Sequence, residues 1–219
     1  RQAEEILDLG ELQLSLLSPA VPVLTAESRI AYRRRRIDSG EGDNPSFVPG
    51  VPVDGELLRP PAGFGETLDY PEAAVEFGID TRNSFGLTSR GIVLRTAGLF
   101  THDVNGSETG GARLQADFAM FVPLLLRHRT LYLRGGFASA LPFVSGEQAP
   151  FHILPSLGGA SRLRGYPNDR FIDELAWWAT IEYRWFFYEW AGTGGGLVGT
   201  VFADFGNVGA NFEDLFEGK

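Results

Sequence analysis

The sequence predicts an all-β protein: an antiparallel transmembrane β-barrel, or a contiguous arc of about eight strands from a larger one. Three observations carry this expectation. Apolar and polar residues alternate with a period of two through most of the chain. The connections between alternating segments are short and long in turn, as the periplasmic turns and extracellular loops of outer-membrane barrels are. The composition favours strands and turns over helices, with 28 Gly, 13 Pro and 12% aromatic residues among 219.

The alternation can be followed along the chain. Leu12, Leu14 and Leu16 stand between Glu11, Gln13 and Ser15, and Val75, Phe77 and Ile79 between Glu76, Gly78 and Asp80. Leu114, Ala116, Phe118 and Met120 alternate with Arg113, Gln115, Asp117 and Ala119. Leu131, Leu133 and Phe137 alternate with Tyr132 and Arg134. Trp177, Ala179, Ile181, Tyr183, Trp185 and Phe187 form one face of a further segment. Its other face holds Thr180, Glu182 and Arg184 but also Trp178 and Phe186, so the pattern is imperfect there. Residues 23–36 and 91–100 fit more loosely, and 201–205 completes the set.

Short connections fall at residues 18–22, 83–90, 123–129 and 188–196, and long ones at 38–69, 101–110 and 139–174. The domain expectation is therefore a single barrel segment over residues 1–219 with long extracellular loops at 38–69 and 139–174. A soluble β-sandwich shares the alternation, but nothing in it sorts connections by length. Trp177, Tyr183 and Trp185 also sit near the ends of one apolar band, where interfacial aromatics of a membrane protein stand. The opposite face mixes Arg29, Arg95, Arg113, Arg134 and Arg184 with Glu27, Glu76, Asp80, Asp117, Glu182 and Asp204, which suits a wet lumen.

Bulk properties narrow the function classes. A net charge of -9 argues against nucleic acid as a partner. Cysteine is absent, so neither a disulfide framework nor a thiolate metal site is available. His102, His128 and His152 lie far apart, and no metal or other cofactor is expected. No apolar run approaches the roughly eighteen residues of a spanning helix. That excludes a helical membrane protein and leaves a barrel open, because only alternate strand residues face lipid. A mean hydropathy of -0.06 suits such a barrel. The chain begins at Arg1, not Met, and reads as a fragment or a mature internal segment.

One loop stands out. Residues 158–166 read Gly-Gly-Ala-Ser-Arg-Leu-Arg-Gly-Tyr, between two strand-like segments. Downstream come Thr180-Ile181-Glu182-Tyr183-Arg184 and Phe202-Ala203-Asp204-Phe205-Gly206-Asn207-Val208. An isolated Arg-Gly-Tyr arises readily by chance; the combination does not. Alternation by itself puts Glu182 and Asp204 on the same polar face. A guanidinium in a confined, partly desolvated site requires a carboxylate, and its planar fork suits two.

Over about residues 75–208 these stretches resemble the BamA/TamA superfamily of outer-membrane assembly barrels, the bacterial surface antigen family. In that family a long extracellular loop folds back into the barrel and carries Val/Leu-Arg-Gly-Tyr/Phe at its tip. Leu163, Arg164, Gly165 and Tyr166 match this motif, and the preceding Gly158 and Gly159 match the family pattern. The resemblance implies that Arg164 pairs in the lumen with Glu182 and Asp204 and locks loop 139–174 there. Gly165 would then permit a tight turn and close backbone approach. Tyr166 would pack against the inner wall with its hydroxyl bonded. The resemblance further implies the outer membrane of a Gram-negative bacterium and a role in inserting or translocating outer-membrane proteins. Unfolded outer-membrane protein clients and periplasmic or lipoprotein subunits are the implied partners, with no cofactor and no enzymatic step.

Family barrels have about sixteen strands behind amino-terminal POTRA domains. The expectation is that this chain is the middle and later part of such a barrel, lacking the POTRA domains, the first strands and the last strands. Its end, residues 213–219, is an acidic polar tail. A two-partner secretion pore, a passive or structural barrel within a larger envelope complex, and a closed eight-stranded barrel remain open as alternatives. The last has little room for the long loop.

Two further features stand outside this motif. Residues 33–36 are four successive arginines; Arg34 and Arg36 are candidates for contact with lipopolysaccharide phosphates at the outer rim, or else form a solvated loop base. Asp80-Thr81-Arg82 and Thr88-Ser89-Arg90-Gly91 read as a turn with a charged cap. No Gly-x-Ser-x-Gly elbow or phosphate loop is present. Two carboxylates beside an arginine read as a salt-bridge network and not as an acid–base pair, so no catalytic residue is expected.

Overall fold

The computed structural model of the protein describes residues 2–18, 21–37, 67–84, 88–104, 110–125, 128–144, 148–189 and 196–215, and only the backbone of 2–22, 35–37, 68 and 189 among them. Ten strands follow one another: β1 (Gln2–Ser18), β2 (Val21–Ile37), β3 (Thr67–Asp80), β4 (Gly91–His102), β5 (Gly110–Pro123), β6 (Arg129–Pro142), β7 (Ser156–Leu157), β8 (Phe171–Ile172), β9 (Leu175–Glu189) and β10 (Gly196–Gly209). A short 3-10 turn, Phe151–Ile153, precedes β7. Eight strands make one sheet in the order β1-β2-β3-β4-β5-β6-β9-β10, with every neighbouring pair antiparallel. Among the described residues no pairing joins β1 to β10. The sheet is thus an open antiparallel arc that fits a larger barrel. Strands β7 and β8 form a small hairpin-like sheet inside the long β6–β9 connection.

Each long strand has 12 to 17 residues, more than the roughly ten a tilted strand needs to cross hydrocarbon. The registers sort the side chains into two faces. Opposite partners such as Asp117↔Arg95, Tyr132↔Glu182 and Thr180↔Asp204 put the charged residues together on one side. Phe77↔Thr96, Leu94↔Phe118 and Val201↔Tyr183 belong to the other. That second face is an apolar belt left uncovered: Phe77 is 59% and Val201 74% exposed. Among the described residues its only charged groups stand at the rims, Arg34 and Asp69 where the long connections leave and Arg129 beside a short turn. A sandwich would lay a second sheet over such a belt. Among the described residues the only other sheet, β7–β8, belongs to the loop that packs on the polar face.

The strands are longer than the alternation indicates. β3 begins at Thr67, well before Val75, and β6 runs on to Pro142, so the long connection is residues 143–174, not 139–174. Beyond the hydrocarbon both faces of a strand can be polar, so the period-two signal fades while the backbone ladder continues. Arg34, Asp69 and Pro71 lie in such a stretch. The long connection expected at 38–69 falls, from 38 to 66, outside the described residues. The strict alternation of connection lengths is not kept everywhere, because residues 81–90 outnumber 103–109. Their pairing does continue past β3, through Thr81 N to Ile92 O (2.9 Å) and Asn83 N to Arg90 O (3.1 Å). Arg82 caps that turn with a side-on fork to Asp80, and Gly91 enters β4 at φ 131°.

Leu94→Arg, in the middle of the apolar belt, should destabilise folding of the full-length protein into vesicles by about 2–4 kcal/mol. Ala97→Arg, on the polar face of the same strand, should cost far less. Urea titrations followed by tryptophan fluorescence compare the two.

Candidate functional site

The loop of residues 143–174 folds back across the polar face of the sheet, and small residues beneath it let it approach. Leu157 and Leu163 from the loop pack with Ala138, Ala176 and Trp178, all buried. A Cβ on Gly136 would run into the Trp178 ring at 2.3 Å, and one on Gly111 would meet Ile153 of the loop at 2.7 Å. A second cluster joins Ala149 and Ile153 to Ala140, with Leu99 and Leu154 against it.

The loop is shaped by tight turns. Gly158 and Gly159 take φ of 126° and 80°, a region that penalises any Cβ. A Cβ at Gly158 would also sit 2.1 Å from the Pro167 carbonyl oxygen. Gly159 N donates to Tyr166 O at 2.9 Å, and Tyr166 N donates to Leu163 O at 3.1 Å. Leu163-Arg164-Gly165-Tyr166 is therefore a closed four-residue turn with Arg164 at its first central position.

That turn aims Arg164 at β9 and β10. Its Nε and one terminal nitrogen donate to the two oxygens of Asp204, each at 2.8 Å. The other terminal nitrogen donates to Glu182 Oε2 at 2.8 Å. The backbone N–H of Arg164 reaches Asp204 Oδ2 at 3.1 Å, and its Cζ stands 3.3 Å from the centroid of the Phe202 ring. Fork geometry to one carboxylate, a third contact to another and a ring beneath use what guanidinium offers and ammonium does not. Both acids are well buried, at 7% and 8% side-chain exposure, so each must keep a donor. Asp204 also accepts from Thr180 Oγ1 (2.9 Å) and Glu182 from Arg184 Nε (2.6 Å). The bond to Asp204 above all, with Glu182 adding to it, raises the pKa of Arg164 and keeps it cationic.

The structure places a second anchor under the same loop that the sequence reading missed. Arg162 lies 4.1 Å above the Trp178 ring and donates to Ser156 O (2.6 Å) and Gln115 Oε1 (3.2 Å). Burial lowers its pKa, and the negative charge of Asp117 opposes that shift. Arg134 donates to Asp117 Oδ1 at 2.8 Å and to the Ser161 carbonyl of the loop. Trp178 Nε1 shares that Asp117 oxygen at 3.2 Å. The imperfect alternation at Trp178 was the available signal: a large apolar residue on a polar face marks where something covers it.

Two expectations for the motif differ from the structure. Gly165 makes no close approach, for a Cβ there would meet nothing within 4 Å; the tight places are Gly158 and Gly159. Tyr166 is 51% exposed and meets Phe171 edge-on at 5.0 Å. Among the described residues its hydroxyl has no hydrogen bond, and the wall packing falls to Leu163 and Trp178 instead. Elsewhere, Arg34 stands on the outward face at the loop rim, forked by Asp69 at 2.7 and 3.0 Å. The side chain of Arg36 lies outside the described residues. Among the described residues no group of His, Asp and Glu could hold a metal ion.

The family model of the Omp85 superfamily domain matches residues 64–216, and the chain belongs to that superfamily, whose domain is typical of outer-membrane barrels of the insertase and secretion type. This agrees with the resemblance of the loop and the strands after it to the BamA/TamA barrels. No curated protein matches the chain.

A double-mutant cycle of Arg164→Ala and Asp204→Asn, read by urea unfolding from vesicles, should give a coupling of about 1–3 kcal/mol. Gly158→Ala should open the loop to limited proteolysis, whereas Gly165→Ala should leave its cleavage rate near that of the wild type.

Proposed function

We propose that this chain is the barrel portion of a Gram-negative outer-membrane protein that assists the insertion or translocation of other outer-membrane proteins. The observation that carries the reading is the engagement of Arg164 with Glu182 and Asp204 on two adjacent strands, in a chain of the Omp85 superfamily. In this reading the engagement is a latch. It holds the loop over the polar face, couples β9 and β10 to it, and so keeps the barrel in a competent state.

The reading gives the chain no catalytic step and no cofactor, because the free energy of inserting a client comes from the client's own folding into lipid, where every backbone group must find a partner. Its partners are unfolded barrel clients, the surrounding lipid including lipopolysaccharide, and periplasmic or lipoprotein subunits of an assembly complex. Mixed charge on the polar face, as in the pairs Arg134–Asp117 and Arg184–Glu182, supports neither a cation- nor an anion-selective solute channel.

The test is complementation with the full-length protein. In cells depleted of the wild-type copy, Arg164→Ala should lower the amount of heat-modifiable client barrels several-fold while its own membrane level is kept. Arg164→Lys, which retains charge and loses the fork, should fall between. A defect confined to one secreted polypeptide would identify a dedicated secretion pore. Normal levels of all clients and secreted proteins in Arg164→Ala would contradict the latch and leave a passive barrel.

A further inference from the structure

The two rims of the apolar belt carry their charge differently. At the loop rim, Arg34 points outward but is forked by Asp69, so its charge is matched. At the turn rim, Arg129 opens β6 directly across from Trp185 of β9, on the outward face. Its Cζ lies 3.7 Å from the Trp185 ring centroid and 5.7 Å from that of Tyr183, and one terminal nitrogen donates to the Tyr183 hydroxyl. The Phe187 ring lies tilted against that of Trp185, with centroids 4.2 Å apart. Among the described residues Arg129 has no carboxylate partner, whereas Arg34, Arg82, Arg134, Arg164 and Arg184 all do.

An uncompensated guanidinium at the edge of a lipid-facing belt asks for an anion. Here the ring of Trp185 and the hydroxyl of Tyr183 fix its plane, and further N–H groups stay available for one. Leu131 and Ile181 follow on the same face toward the middle of the belt, so a ligand there must be anionic at its head and apolar behind it. Indole and phenol rings favour that depth, with an apolar body inward and a polar tip in the headgroup layer.

We propose that Arg129, Tyr183 and Trp185 form a binding site for the phosphate of a glycerophospholipid headgroup in the leaflet on the short-turn side. The proposal rests on the membrane-barrel reading and goes beyond it in naming the leaflet, the ligand chemistry and the residues. It also makes the turn rim, and not the arginine run at the loop rim, the place where the described part of this barrel holds a lipid phosphate through an unpaired cation.

The test uses the full-length protein reconstituted in vesicles of phosphatidylethanolamine and phosphatidylglycerol, then released into detergent for native mass spectrometry. Wild type should keep a bound phospholipid. Arg129→Gln should reduce its retention about five-fold, the effect of one basic residue near a headgroup surface, and Arg129→Lys should keep most of it. Should Arg129→Gln not reach the folded, heat-modifiable band, the pair Tyr183→Phe and Trp185→Leu takes its place. That pair leaves the charge, removes what positions it, and should also lower retention. Undiminished retention in these variants overturns the site, as does complete displacement of the bound phospholipid by excess inorganic phosphate. Ile181→Cys separates this from the underlying reading, since the chain has no other cysteine. If Ile181→Cys in vesicles is shielded from a water-soluble maleimide while retention ignores Arg129, only the headgroup site fails. If it is labelled freely, the membrane reading fails and the site with it.

Discussion

Side-chain parity, enforced by the backbone ladder, is the constraint on which the rest of this structure depends. A strand presents successive residues to opposite faces, so a slip of one residue exchanges the faces entirely. The β9–β10 register sets Thr180 against Asp204 and Glu182 against Phe202. One step either way would send Glu182 or Asp204 toward lipid, and Ile181 or Phe205 to the wet side. The belt and the latch therefore impose the same requirement on the register. Uncovered residues such as Phe77 and Val201 are tolerable only against hydrocarbon, and buried acids such as Asp204 only where donors reach them.

The loop answers that second requirement twice. Arg164 serves Glu182 and Asp204 on the last two strands, while Arg162 and Arg134 gather around Gln115, Asp117 and Trp178 further back in the sheet. Glycine shapes both the loop and the sheet under it. Gly158 and Gly159 bend the loop at positive φ, and Gly136 yields the space that Trp178 fills. Losing Arg164 would leave two well-buried carboxylates short of donors, and removing one partner of such a network is costlier than never having built it. Arg184 would still reach Glu182 and Thr180 would still reach Asp204, and the second anchor would remain. The expected consequence is a loosened loop on an intact sheet.

Much of this was legible from the order of residues. The identity of the two faces was, because Leu114 to Met120 alternate cleanly and Trp177 to Phe187 keep the same period despite Trp178 and Phe186. The candidate residues Arg164, Glu182 and Asp204 were too, since parity puts both acids on one face and the loop motif supplies the cation. Other features were hidden for physical reasons. The ends of β3 and β6 were invisible because outside the hydrocarbon a strand needs no alternation. Gly165 looked like the tight position because it follows Arg164, yet backbone crowding depends on what lies across the turn, which for Gly158 is Pro167. Arg162 and Gln115 are ordinary polar residues 47 positions apart, and only the loop's path brings them together. Arg129 is an ordinary basic residue at the end of a turn sequence. Its importance comes from the cross-strand neighbour Trp185, which a single strand's pattern cannot reveal.

Whether Arg164 holds the loop against β9 and β10 is read by a distance measurement between spin labels at Gly165→Cys and Thr200→Cys in the full-length protein in a bilayer. Gly165 suits a label because its side-chain position is open, and Thr200 lies on the polar face of β10, opposite Arg184. One narrow distance population is expected in the otherwise wild-type protein and a broad one once Arg164→Ala is added. A broad distribution with Arg164 present, or a narrow one that persists without it, would show that Arg164 does not hold the loop.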